Sequence, residues 1–190
     1  MRAPRIYLAG PDVFLPHAAE HGNRLKALCR RHGAIGLFPI DNEIDATKEG
    51  RDTVPERIRS ANLRMIRGCD AVVANMMPFR GPAMDGGTAY EMGFAAALER
   101  IVVGYQSREV PPFHARVAAR GVSVGGGADP GGLRDGEGFL IEAFRDRDGL
   151  PLSLPDNLMM GCGLDGLAAD AEGAIVAAAT LWRQRQQHFF

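Results

Sequence analysis

The feature that most constrains the fold is an alternation of short apolar runs with helical patterns along the first 105 residues. Four apolar runs, bounded by turn residues, indicate buried strands at residues 5–9, 34–39, 69–75 and 101–105. Between them, apolar residues recur at helical spacing over three segments, 16–32, 53–68 and 88–99. This alternation predicts an α/β fold, in which helices cover both faces of a doubly wound parallel sheet.

The remainder of the chain gives weaker signals. Residues 106–150 are rich in Gly and indicate either a flexible flap over a site or a plain surface loop. No GK[ST] follows the glycines, so a phosphate-binding loop is not expected. Residues 165–182 are rich in Ala at helical spacing and predict a last helix on the sheet. We therefore expect one domain over residues 1–190.

Composition excludes several classes of function. The net charge of −1 gives no reason to expect a nucleic acid or an anionic membrane as partner. No run approaches the roughly 20 apolar residues of a membrane-spanning helix. The three cysteines, Cys29, Cys69 and Cys162, are far apart, which disfavours a zinc site or a disulfide framework. A reducing, cytoplasmic compartment is therefore predicted.

Polar residues cluster where the first three predicted strands end. In open parallel sheets, ligands bind beyond the carboxyl ends of the strands, where the strand order reverses. Asp70 opens the third strand instead, so we expect it at the opposite edge of the sheet. The side chains expected near one another are Tyr7 in strand one, Gly10 and Asp12 after it, Asp41 and Asn42 after strand two, and Asp85 and Glu91 around the turn after strand three.

Clustered carboxylates indicate metal binding, acid–base and nucleophilic chemistry, or a solvated surface. The five histidines are scattered, which disfavours a metal site. Glycosyl chemistry fits better, because one carboxylate attacks an anomeric carbon while an acid protonates the leaving group.

Two interpretations of Glu91 stay open from the residues alone. Thr88 and Glu91 have the spacing of a capping box, in which each side chain satisfies a backbone N–H at a helix start. Alternatively, Glu91 is a working carboxylate in the first turn of a helix, where the helix dipole favours its ionised form. The small residues Gly86 and Gly87 leave room for a ligand beside it.

Several blocks, in order along the chain, resemble one family. IYLAGPDVF, LFPIDNE, RGCDAVVANMMPFRGPAMDGGTAYEMGFAAAL and LPDNLMM together resemble the nucleoside 2-deoxyribosyltransferases. The resemblance covers most of the chain to about Tyr105 and returns at the last block. It implies a flavodoxin-like fold and a homo-oligomer, a dimer or hexamer, in which a neighbouring subunit completes the site.

The resemblance also implies roles for individual residues. Glu91 matches a glutamate nucleophile that takes the 2-deoxyribosyl group, and Tyr7 matches a tyrosine that orients it. Asp85 matches an acid that holds the sugar hydroxyls. From the residues alone, the alternative interpretations are an ordinary strand aromatic for Tyr7 and a solvated loop carboxylate for Asp85. Further substrate-binding candidates are Gly10, Asp12, Phe14, Asp41, Asn42, Asn62, Phe79 and Asn157.

Some of these candidates carry specific expectations. Asn62 stands where many members have an aspartate that protonates the base, and an amide cannot do this. Asp12, Asp41 or a water would then supply the proton. Asn157 resembles an asparagine that reaches the 5′-OH in a neighbouring subunit, and Phe14 flanks the base or packs in the core, as does Phe79.

The implied activity is transfer of 2-deoxyribose between nucleobases through a glycosyl-Glu91 intermediate, with retained configuration and a place in nucleotide salvage. Purines are expected as bases, with pyrimidines left open. The partners would be small deoxynucleosides and free nucleobases, with no metal or other cofactor. Two alternatives are an N-glycosidase acting on 2′-deoxynucleoside 5′-monophosphates and a non-catalytic nucleotide-sensing domain. Phosphate beside Asp85 would meet like-charge repulsion, although Arg80 lies on the same loop.

Overall fold

The computed structural model describes residues 2–41, 53–120 and 133–187. Within them, one parallel five-stranded sheet has the order β2-β1-β3-β4-β5. This is the flavodoxin-like order, and it confirms the predicted fold class. The strands are β1 (Arg5–Ala9), β2 (Ile35–Leu37), β3 (Ala71–Asn75), β4 (Ile101–Tyr105) and β5 (Gly166–Ala168).

Helices lie on both faces of the sheet, as predicted. One core cluster packs α1 and α6 against one face, and the other packs α2 and α3 against the opposite face. None of the helices in the described part of the chain is long and apolar enough to cross a membrane. The helices are α1 (Ala18–Arg31), α2 (Val54–Arg67), α3 (Gly86–Ala97), α4 (Phe113–Ala118), α5 (Leu158–Gly161) and α6 (Ala171–Gln187), and short 3₁₀ turns occupy Pro11–Phe14 and Pro39–Asp41.

Helix α2 begins where the sequence predicts. The Thr53 hydroxyl accepts from the Glu56 N–H, and the Glu56 carboxylate accepts from the Thr53 N–H at 2.7 Å. This reciprocal capping box satisfies two backbone donors that the helix leaves without partners. The start of α2 is therefore set by local residues.

The register of the sheet places the loops that matter side by side. Strands β1 and β3 are neighbours, with Ala9 opposite Ala74, and the strand order reverses between them. Their following loops leave the same edge, at the topological switch point. Asp70 lies at the other edge, where its carboxylate accepts from the Arg5 N–H and pairs with Arg2, as expected.

Three differences from the sequence predictions appear. Helix α3 begins at Gly86, because Asp85 and not Thr88 is its N-cap. Residues 166–168 form the edge strand β5, and α6 begins only at Ala171, where Asp170 accepts from the Gly173 N–H. Residues 113–118 of the predicted loop segment form α4, and residues 121–132 lie outside the described residues.

Candidate active site

A cavity of about 460 Å³ opens at the edge of the sheet that follows β1 and β3. Its volume lies in the range of small-molecule sites, and such sites combine apolar walls with a few placed polar groups. Loops after β1 and β2 form one side, and α2 and the start of α3 form the other. The lining residues are Gly10, Val13, Phe14, Pro39, Ile40, Ile58, Asn62, Asp85, Gly87, Thr88 and Glu91.

Glu91 reaches into this cavity from the second turn of α3. The Tyr7 hydroxyl donates to its Oε1 at 2.6 Å, and the Asn62 Nδ2 lies 3.4 Å from the same oxygen. The capping-box interpretation is therefore wrong. The expectation of a first-turn position is also wrong, and the helix dipole acts mainly within the first turn.

Burial dominates the electrostatics of Glu91. Removal from water raises the pKa of its carboxyl to about 7, and the nearby charge of Asp85 acts in the same direction. Hydrogen bonds from Tyr7 and Asn62 favour the ionised form and lower the pKa in part. Glu91 is therefore about half ionised at neutral pH.

Tyr7 is a fully buried phenol beside that carboxyl. Burial, together with the charge of Glu91, raises the pKa of Tyr7 far above its ordinary value. The phenol therefore keeps its proton at every physiological pH and donates a hydrogen bond to Glu91. An aromatic residue whose hydroxyl meets the buried acid does more than fill the core.

Asp85 serves two purposes at once. Its Oδ2 accepts from the Thr88 N–H and the Thr88 hydroxyl, both at 2.8 Å, and so caps α3. The same residue lines the cavity that Glu91 enters. An Asp three residues before a Thr at the start of a helical pattern is the sequence signal for this cap.

The structure brings some predicted residues to the cavity and leaves others away from it. Gly10, Phe14 and Asn62 line it together with Asp85 and Glu91. The residues Asp12, Asp41, Phe79 and Asn157 are not among its lining, and Asn42 lies outside the described residues.

The polar residues away from the cavity each have partners elsewhere. Asp41 pairs with Lys26 and accepts from the Phe38 N–H at 2.9 Å. Asn157 caps α5 by accepting from the Met159 N–H. Asp12 is bound by Asn75. The two carboxylates expected to replace Asn62 as proton donor are thus held outside the lining of the cavity.

An aromatic stack supports the wall of the cavity. The Phe14 and Phe79 rings are stacked and nearly parallel, with an interplanar angle of 11° and centroids 5.6 Å apart, and the Arg80 guanidinium lies over both rings. Arg80 has a φ of 55°, a left-handed conformation that is uncommon for this residue type. Phe79 therefore acts behind Phe14 and not as a lining residue.

Ile58 is a lining residue that the sequence alone did not single out, since it is one of several apolar residues in the predicted helix 53–68. It is 44% exposed and lies on α2 one turn before Asn62. Residues four apart on a helix share a face. That spacing is the signal by which Ile58 is recognisable, once Asn62 is placed at the site.

The described residues offer no obvious metal centre. No three His, Cys, Asp or Glu side chains within residues 2–41, 53–120 and 133–187 are grouped so as to hold a metal ion. The polar residues that line the cavity are instead Asn62, Asp85, Thr88 and Glu91. Tyr7 is not among the lining residues, but its buried hydroxyl donates to Glu91.

The fold and site together define an α/β protein with a partly buried carboxyl in a cavity at the switch point of a parallel sheet. The family model described as nucleoside 2-deoxyribosyltransferase matches residues 6–159. The chain belongs to the nucleoside 2-deoxyribosyltransferase family. Members of this family transfer or hydrolyse glycosyl groups and act on small nucleosides and nucleobases.

The chain is also similar to solved structures and to a curated protein. A 2-desoxiribosyltransferase from Leishmania mexicana has a TM-score of 0.62 at 29% identity, over 93% of this chain and 97% of that chain. A conserved protein from Enterococcus faecalis V583 has a TM-score of 0.53 at 16% identity, over 98% and 99%, which shows the fold alone. An uncharacterised protein from Schizosaccharomyces pombe is 34% identical over 107 residues, 55% of this chain, and the chain spans about half (50%) of that relative's length.

Proposed function

We propose that the protein transfers 2-deoxyribose between nucleobases through a covalent intermediate on Glu91. The observation that carries this proposal is the partly buried Glu91 carboxyl, held by the Tyr7 hydroxyl at 2.6 Å in a cavity that Asp85 also lines. A carboxyl with a pKa near 7 in such a cleft is typical of functional sites.

The reaction proceeds in two displacements. The Glu91 carboxylate attacks C1′ of a 2′-deoxynucleoside while the N-glycosidic bond breaks, and the bonding pair leaves on the base nitrogen, which takes up a proton. The products are a glycosyl ester of Glu91 and a free base. A second base then attacks C1′ and releases the carboxylate, so that two inversions give net retention. Water in place of the second base gives hydrolysis.

The neighbouring groups support this role of Glu91. Both hydrogen bonds that described residues donate to its carboxyl reach Oε1, which leaves Oε2 to attack. Tyr7 fixes the plane of the carboxyl. The Oδ2 atom of Asp85 accepts the hydrogen bonds of the helix cap, so Oδ1 can accept a hydrogen bond from a sugar hydroxyl.

The charge of the cavity favours an uncharged substrate. Asp85 and Glu91 are both carboxyl groups of its lining, and a 5′-phosphate would be repelled by them. We therefore propose 2′-deoxynucleosides as substrates in preference to their 5′-monophosphates, and kcat/KM for the two measured side by side tests this choice.

Base exchange is the test of the proposed function. We expect 2′-deoxyinosine mixed with adenine to yield hypoxanthine and new 2′-deoxyadenosine, resolved by chromatography. Thymine in place of adenine tests whether pyrimidines are accepted. Hypoxanthine released without a new nucleoside would identify a hydrolase, and no change in either compound would identify a binding domain.

The pH dependence of the reaction follows from the pKa of Glu91. Because the nucleophile is the ionised form, we expect kcat/KM to rise with pH, with a midpoint near 7. Asp85→Asn removes a charge that raises the Glu91 pKa, so the midpoint moves to lower pH even though the rate itself falls. Asn caps a helix about as well as Asp, so α3 is preserved.

Asp170→Asn is the matched control for that experiment. Asp170 caps α6 through the Gly173 N–H and lies on the exposed surface. Its replacement should leave the midpoint unchanged. A midpoint that stays in place in Asp85→Asn as well would show that the charge of Asp85 does not reach Glu91.

A further inference from the structure

A buried polar pair lies beside the cavity and takes no part in the proposed reaction. Asp12 and Asn75 are only 9% and 8% exposed. The Asn75 Nδ2 donates to both carboxylate oxygens of Asp12, at 3.2 and 3.1 Å, and its Oδ1 accepts from the Met77 N–H. A buried carboxylate without a ligand role calls for an explanation, because burying charge is costly.

The pair joins the two loops that form the switch point. Asp12 belongs to the turn Pro11–Phe14 after β1, and Asn75 is the last residue of β3. In the same turn, Val13 and Phe14 line the cavity, whereas Asp12 does not. The hydrogen bonds therefore connect the Pro11–Phe14 turn, which supplies part of the cavity lining, to the end of the adjacent strand β3.

Gly10 fits this arrangement closely. A Cβ at Gly10 would lie 2.5 Å from the Asp12 Oδ2 and 2.8 Å from the Asn75 Cβ. Both distances are shorter than non-bonded contacts of a carbon atom allow. The Asp12 and Asn75 side chains therefore pack directly against the Gly10 backbone and leave no room for a larger residue at position 10. Gly10 itself lines the cavity, and its position depends on the same contacts.

A second contact holds the far end of the turn. Phe14 stacks on Phe79, which follows β3, and Arg80 covers both rings. Phe14 is 60% exposed, so packing alone holds it weakly. The turn is thus fastened to the β3 loop by a buried polar contact and by an exposed aromatic one.

The groups around Asp12 do not replace Asn75. The His21 Nε2 of α1 lies 3.4 Å from the Asp12 Oδ1 and has no hydrogen bond to a residue that the structure describes. Burial raises the pKa of the Tyr105 phenol at the end of β4, and the negative charge of Asp12 acts in the same direction. Loss of the Asn75 amide would therefore leave a buried charge with weak compensation, and the turn would move to rehydrate it.

We propose that Asp12 and Asn75 are positioning residues that hold the Gly10–Phe14 turn as a wall of the substrate cavity. The pair sets how well substrate binds and leaves the chemical step at Glu91 unaffected. The kinetic half of this inference rests on the proposed function, whereas the structural half does not.

Asn75→Leu tests the inference, because leucine keeps the branched shape of the asparagine side chain and removes both amide N–H donors. We expect hydrogen exchange to accelerate over residues 10–15 and to stay unchanged over residues 5–9. We expect KM for 2′-deoxyinosine to rise about tenfold, with kcat changed less than about threefold, as for loss of a hydrogen bond to a charged group. Asn75→Ala, which has no side-chain donor, is the second variant if leucine prevents folding.

Rescue and a control separate positioning from a general loss of stability. Exchanging the partners, with Asp12→Asn and Asn75→Asp together, restores one amide–carboxylate pair, and KM should return to within about threefold of the original. Asp70→Asn breaks a comparable carboxylate contact at the opposite edge of the sheet and should lower stability without changing KM.

Three results would overturn the inference: unchanged exchange over residues 10–15, an unchanged KM in Asn75→Leu, or an equal rise of KM in Asp70→Asn. If the unaltered protein neither exchanges nor releases bases, the proposed function fails. Exchange rates over residues 10–15 then still decide whether the pair holds the turn.

Discussion

Replacing Glu91 by Ala or Gln is expected to lower kcat/KM for base exchange at least about a thousandfold, because no covalent intermediate can form. Neither change should unfold the protein, since each removes a buried ionisable group. The measurement is initial rates of 2′-deoxyadenosine formation, with circular dichroism to confirm the fold. Glu20→Gln, an exposed carboxylate on α1, is the matched control and should retain full activity.

Chemical trapping tests the same assignment independently of rates. A 2′-fluoro-2′-deoxynucleoside destabilises the oxocarbenium-like transition state, so both displacements slow and the glycosyl ester can accumulate. We expect a mass adduct on the peptide that carries Glu91, and no adduct in Glu91→Gln. An adduct on Asp85, or activity retained by Glu91→Ala, would assign the nucleophile elsewhere.

The central strands were predictable because a strand that is buried on both faces has a nearly continuous run of apolar residues. Runs 5–9 and 101–105 match β1 and β4 residue for residue, since both lie inside the sheet. β5 was missed because it is a three-residue edge strand, with an exposed Leu167. Its residues join an Ala-rich segment, so local pattern alone extends α6 by six residues, 165–170, at its start.

The site was predictable where strand topology decides position, and not where side-chain direction in a turn decides it. Tyr7, Asp85 and Glu91 come together because β1 and β3 are neighbours and end at the same edge. Asp12 and Asp41 also follow strands β1 and β2 closely, but their side chains bind other groups. The Asp12 carboxylate accepts from the Asn75 amide, and the Asp41 carboxylate accepts from the Phe38 N–H. Such choices depend on tertiary partners, which one sequence does not reveal.

The raised pKa of Glu91 carries a cost in stability, and this links the site to the fold. A group whose folded pKa lies near 7, above an unfolded value near 4.5, binds more protons in the folded state between those limits. The contribution of Glu91 to the free energy of unfolding is therefore most favourable below about pH 4.5, and it is lost as the pH rises through 7. Active sites commonly carry such local destabilisation in exchange for reactivity.

Glu91→Gln should accordingly stabilise the protein, and more so at high pH. Glutamine resembles the protonated acid and can still accept from the Tyr7 hydroxyl. The pKa shift to about 7 corresponds to a gain of roughly 3 kcal/mol at pH 8 and about 1 kcal/mol at pH 5. For a chain of this size, the gain at pH 8 raises Tm by roughly 6–12 °C.

Urea unfolding at the two pH values measures this difference directly. Glu20→Gln changes an exposed carboxylate and should shift the free energy of unfolding by less than about 0.5 kcal/mol at either pH. A Glu91→Gln variant no more stable than the unaltered protein at pH 8 would mean that ionised Glu91 is well solvated. In that case burial does not raise its pKa, and the rise of kcat/KM near pH 7 must come from another group. Loss of activity together with gained stability in the same variant is the combination that a buried, working carboxyl requires.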